Sequence, residues 1–123
     1  MMLDTHIVVQ LYEGRTNGLS AYVKRELDRG AALISPTVVF ELEMLHEIQR
    51  IRPNAADIVR AVGEDLGIRI AAEPFADIVD EALGFSFTRD PFDRLIVAHA
   101  ALREAPLVTF DERIGAHYRR ATS

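Results

Sequence analysis

The stretch RDPFDRLIVAHAAL, residues 89 to 102, sets Asp90 and Asp93 three residues apart at the head of an apolar helical pattern. Three more carboxylates, Asp4, Glu41 and Asp111, stand on or just after short apolar runs far away in the chain. Carboxylates that share one pocket raise one another's pKa or push the structure open unless a cation or a proton sits among them. A hard, oxygen-seeking cation, Mg²⁺ or Mn²⁺, suits such a set better than zinc, because the chain has no cysteine and no convergent histidine pair.

Each acid also has a purely structural reading. Asp4 suits the N-cap of the helix that follows it, and Asp111 suits the cap of DERIGAHY. Asp90, directly before Pro91, has the N-cap position of its helix. Asp93 is then the third helical residue, a capping-box place normally held by the longer Glu or Gln. It projects from the first turn, where the helix dipole favours negative charge, and that suits a ligating carboxylate. Glu41 lies within the largely apolar TVVFELEML, and a charge on an inward helix face is rarely buried without a partner. Glu43 and Glu47 fall on other faces and read as solvated.

The elements that must carry these acids are marked by proline. Pro36, Pro74 and Pro91 each follow a polar residue and precede an apolar-periodic run, as expected at the first helical position. Short aliphatic runs, AALIS (31–35), IRIA (68–71) and PLVTF (106–110), with MML at the start, read as buried strands. Helices are expected at 5–12, 18–29, 36–50, 54–66, 74–83, 91–104 and 111–118, with Gly30 and Gly67 as stops. Alternating strands and helices predict an α/β fold with a central, mostly parallel sheet covered on both faces. Ligands of such sheets bind beyond the carboxyl ends of the strands, where four of these acids fall.

The 123 residues suit one domain, 1–123, with no linker or repeat. No apolar run approaches the roughly 18 residues of a membrane span, and MMLDTHIVV lacks the basic start of a signal peptide. A soluble, cytoplasmic protein is expected. Nineteen acids against 14 bases at first disfavour nucleic acid. Carboxylates that hold divalent cations nevertheless present positive charge to a phosphate. Lys24 is the single lysine, so 13 of the 14 bases are arginine, the side chain suited to bidentate phosphate contact.

LDTH, ISPTVVFELEML, RDPFDRLIVAHA and LVTFDERI resemble, in order and spacing, the motifs of PIN-domain ribonucleases, particularly the toxins of VapBC-type toxin–antitoxin pairs. The resemblance implies a three-layer α/β/α fold and a metal-dependent endoribonuclease. Carried over by position, Asp4, Glu41, Asp93 and Asp111 are its catalytic acids, with Asp4, Asp93 and Asp111 as metal ligands, directly or through water. Asp90 lies outside the minimal acid set, and Thr109 occupies a place where a hydroxyl often supports the site. RNA as substrate, a cognate antitoxin and a homodimer are the partners implied. The antitoxin would pack on the helices of VVFELEMLHEIQRI and AADIVRAVGEDL.

Arg89, Arg94 and Arg113 lie near these motifs as phosphate clamps or as ordinary surface charge. His6 is a candidate site residue, His99 a packed core histidine, and His46 and His117 have no evident partner. Two rivals differ in class. A phospho-acceptor receiver domain needs an acidic pair after the first strand and a lysine after the last, and neither is present. An inert PIN-like module that only binds a partner would carry the same fold with idle acids.

Overall fold

The computed structural model describes residues 1–123. Five short strands, β1 (Met2–Leu3), β2 (Leu33–Ile34), β3 (Arg69–Ile70), β4 (Leu107–Val108) and β5 (Ala121–Thr122), form one sheet in the order β3-β2-β1-β4-β5. Every neighbouring pair is parallel. Seven helices flank it: α1 (Thr5–Tyr12), α2 (Ala21–Asp28), α3 (Pro36–Glu47), α4 (Ala55–Leu66), α5 (Phe75–Ala82), α6 (Pro91–Leu102) and α7 (Glu112–His117). This is the three-layer α/β/α arrangement. Leu3, Ile34, Leu107 and Val108 are essentially without exposure, as strands covered on both faces require.

The strand the sequence analysis does not anticipate is β5. No apolar run marks it, because ATS becomes a strand only by lying beside β4. There Leu107 N–H donates to Arg120 O at 3.0 Å and Thr109 N–H to Thr122 O at 2.9 Å.

Two of the three proline-marked helix starts stand as expected. Ser35 and Asp90 are N-caps, with Pro36 and Pro91 in the first turn. Pro74 instead holds the cap position, and α5 begins at Phe75 with no side-chain cap. The reason is Glu73, which is drawn across to His99 and Arg103 rather than back to the helix amides. Helix α3 ends at Glu47, short of residue 50, because Gln49 takes a left-handed φ of 62° and donates its N–H to His46 O. Helix α2 starts at Ala21 rather than 18, capped by Ser20.

From β1 the chain builds outward to β2 and β3 on one side, while β4 and β5 lie on the other. The order therefore reverses between β1 and β4, the place where open α/β sheets bind ligands. Helices α1, α3 and α4 pack on one another, and α3 also packs on α6, which lies against α5. The α3–α6 contact is fixed by His99, fully buried on α6. Its Nδ1 lies 2.9 Å from Ser35 Oγ and its Nε2 2.8 Å from Glu73 Oε1. The expectation of a packed core histidine is met, with its polar atoms fully satisfied.

Candidate active site

Asp4 follows β1 directly, so it stands at the carboxyl end of the central strand and caps α1 at the same time. One carboxylate oxygen, Oδ1, accepts Thr5 N–H at 2.8 Å. The other accepts the Thr109 hydroxyl at 2.7 Å. Thr109 comes from the end of β4, and its Oγ1 in turn accepts Asp111 N–H at 3.0 Å. A single hydroxyl thus ties together the two acids at the sheet's switch point. The supporting role expected for Thr109 has a geometric basis here.

Asp111 caps α7, with Oδ1 accepting from Arg113 N–H at 2.8 Å and Ile114 N–H at 3.1 Å. Asp90 caps α6 in the same way, with Oδ1 accepting from Phe92 and Asp93 N–H. Asp93 follows on the first turn of α6, half-buried. Glu41 reaches from the second turn of α3, and its Oε1 accepts the Thr5 hydroxyl. For Asp4 and Asp111, capping and membership of a pocket are not alternatives. A carboxylate has two oxygens, and one suffices for the cap.

Asp4, Glu41, Asp93 and Asp111 line one open cavity of 430 Å³, together with Thr5, His6, Gln10 and Arg15 and an apolar wall of Val9, Leu45 and Ile51. The N-termini of α1, α6 and α7 all end at these acids, so three helix dipoles favour the negative charge. That relief is incomplete. Burial pushes the Asp93 carboxyl up to about 7, and the charges of Asp90, Asp4, Asp111 and Glu41 add to the shift. Burial likewise raises Glu41, with the Thr5 hydroxyl opposing and Asp4 and Asp90 reinforcing it.

The donor set is that of a hard divalent cation: four carboxylates and no sulfur. The acids are near enough to feel one another's charge. Yet no three acids or histidines, as the side chains stand, lie close enough to hold one ion. The spacing follows from local bonding, since Asp4, Glu41 and Asp111 are each held by a hydrogen bond to their own element or its neighbour.

Arg89, Arg94 and Arg113, considered as phosphate clamps, point elsewhere. Arg89 donates to Ser86 O, Arg94 to Ala82 O and Arg113 to Thr88 Oγ1. The arginine in the cavity is Arg15, from the EGRTNG loop, paired with Glu13 at 2.8 Å. Nothing in its sequence neighbourhood marks it, because only the fold brings that loop to the switch point. Thr5 was visible beside Asp4 in LDTH, a hydroxyl next to an acid, and carries the clearest missed signal. His6 does line the cavity, and its Nε2 accepts Phe110 N–H at 2.9 Å. His46 and His117 have partners after all, Arg52 O and Arg113 O, and His117 also stacks on Phe87. Glu43, expected to be merely solvated, accepts Ala55 N–H at the start of α4.

Three comparisons bear on this geometry. A comparison with curated proteins finds no match. Among solved structures, a chain from the crystal structure of VapBC2 from Rickettsia felis, bound to a DNA fragment from their promoter, superposes with a TM-score of 0.66. It is 20% identical, over 98% of this chain and 93% of that one, a likeness of fold. The PIN domain family matches residues 1–120, which takes in every acid of the cavity and all four helices that carry them. By its sequence from β1 to the end of α7, and by the parallel sheet those residues build, this chain belongs to the PIN domain family.

Proposed function

We propose that the chain is a metal-dependent endoribonuclease, a single domain over residues 1–123 acting in the cytoplasm as the toxin of a type II toxin–antitoxin pair. The observation that carries this reading is the shared cavity of Asp4, Glu41, Asp93 and Asp111, with Asp93 driven to about 7 by burial and by its acidic neighbours. A structural role gives no reason to concentrate four carboxylates at such a cost. Family membership and the fold shared with a toxin–antitoxin complex support the same conclusion.

In this reading Asp4, Asp93 and Asp111 would hold Mg²⁺ or Mn²⁺, which would supply Lewis-acid polarisation of the scissile phosphate and a more acidic attacking water. Thr109 orients Asp4 and the Asp111 backbone, so two of the ligands keep a fixed separation. Thr5 holds one oxygen of Glu41 and leaves the other free to take a proton from the water that attacks phosphorus in line. The exposed apolar surface beside the site suits protein partners. Phe40 is 61% exposed and Phe75 63%, and both line a 480 Å³ groove with Ile78, Phe92 and Leu95. A cognate antitoxin and a second copy of the chain are the partners this reading expects there or on the adjoining α3–α4 surface.

That same groove is what a binding-only module would also present. Incubation of a mixed RNA pool with Mn²⁺ separates the two. The wild type is expected to cut, and Asp93→Asn to leave the pool intact while melting no lower than the wild type. If neither protein cuts with Mg²⁺, Mn²⁺ or Co²⁺, the nuclease reading fails and the binding-only one stands.

A further inference from the structure

Phe110 stands between the buried Thr109, which is bonded to Asp4, and the cavity residue Asp111, and is not part of the core. The residue is 41% exposed. It is held in place all the same. The His6 ring lies beside it at 5.7 Å between centroids, tilted by 30°, and the Phe110 N–H donates to His6 Nε2. At its far edge the ring rests on Gly18, where a Cβ would come within 3.2 Å of Cζ and where φ of +80° favours glycine in any case. His6 itself lines the acidic cavity, and so does Arg15, whose only ion pair is an exposed one to Glu13. Such a pair is weak enough to be exchanged for a phosphate.

An aromatic ring braced on two sides and open on a third, next to phosphate chemistry, is what an unpaired nucleobase stacks on. A base inside a duplex is already stacked and cannot reach it. We propose that Phe110, braced by His6 and Gly18, is a stacking platform for one unpaired base of a single-stranded RNA whose phosphate lies in the cavity, with Arg15 on a neighbouring phosphate. This rests on the nuclease reading and deepens it, by assigning one aromatic subsite of its substrate to Phe110.

The test measures binding of fluorescently labelled RNA octamers by anisotropy in Mn²⁺, with Asp93→Asn present throughout so that the RNA survives. Phe110→Leu, which keeps apolar contact with Gly18, is expected to melt like its parent yet to bind about tenfold more weakly, the usual loss for one stacked base. Phe110→Tyr is expected to bind as the parent does. An abasic ribose walked along the octamer should cost about tenfold at one position with Phe110 present and nothing further with Phe110→Leu. A fully paired octamer duplex should bind the parent less well than the single strand. Equal binding by parent, Phe110→Leu and Phe110→Tyr overturns the platform, as does an abasic scan with no sensitive position. Either result leaves the nuclease reading untouched if the wild type still cuts RNA, whereas failure of all cleavage removes that reading whatever the octamers do.

Discussion

The Asp93 carboxylate is loaded twice, by burial and by the four acids whose charge it feels, and both loads favour its protonated form. Its folded pKa of about 7 lies above the ordinary carboxylate value, so the native state holds a proton that the unfolded chain has already released. The sign follows directly. Between the ordinary value and about 7, rising pH progressively removes stability, and below that window the group contributes no penalty. Asp93→Asn removes the ionisation altogether. In metal-free buffer the variant is expected to unfold later than the wild type at pH 8, by about 1 to 2 kcal/mol once solvent screening of a half-buried site is allowed for, and to match it at pH 4. Urea midpoints at the two pH values check this. A wild type as stable as Asp93→Asn at pH 8 would mean that the carboxylates do not repel one another and that the cavity is electrostatically ordinary.

Helices α3 and α6 carry Glu41 and Asp93, so whatever sets their distance sets part of the site. That element is His99, which joins the Ser35 cap of α3 to Glu73, the residue that fails to cap α5. Burial alone would raise Glu73, but hydrogen bonding from His99 and the charge of Arg103 hold it below the ordinary carboxylate value. A lowered carboxylate contributes stability that is present above its ordinary pKa and lost as pH falls through the folded value. His99→Ala removes the buried link between Ser35 and Glu73, which keep only Thr37 N–H and Arg103, and leaves a cavity behind, at a cost of about 2 to 4 kcal/mol at pH 7. Glu73→Gln keeps a hydrogen-bonding partner for His99 and is expected to lose less stability than the wild type does between pH 5 and pH 3. If His99→Ala unfolds at the wild-type urea concentration, the clamp is not what joins α3 to α6. Part of this was visible beforehand. Ser35-Pro36 and Asp90-Pro91 announce their helices through local cap chemistry, which needs no tertiary information. Glu73-Pro74 carries the same local signal and means something else, because a buried histidine 26 residues away competes for the carboxylate.

Across the molecule, what the sequence hides is what only sheet pairing creates. The acids, their order and the alternation of strands and helices can be read from patterns a few residues long. Arg15 and β5 cannot, since β5 becomes a strand only by pairing with β4, and Arg15 enters the cavity only once the fold gathers the acids beside its loop. Strand β5 matters to the site because it covers the open edge of β4, the strand that leads into Thr109 and Asp111. Its carbonyls at Arg120 and Thr122 accept the amides of Leu107 and Thr109, and Ser123 O accepts Ser20 N–H at the cap of α2. Removing residues 119–123 deletes all three acceptors while sparing Tyr118, whose hydroxyl still donates to Ala105 O. At about 0.5 to 1.5 kcal/mol for each hydrogen bond, the truncated chain is expected to lose about 2 to 4 kcal/mol. The local effect should exceed the global one. The Thr109 amide, freed from β5, should exchange with solvent far faster than the Leu3 or Ile34 amides in the same sample. Cleavage should also fall, because Thr109 orients Asp4 and the Asp111 backbone together. Unchanged exchange at Thr109 after truncation would show that β4 holds its edge without β5, and that the fifth strand has no part in positioning the acids.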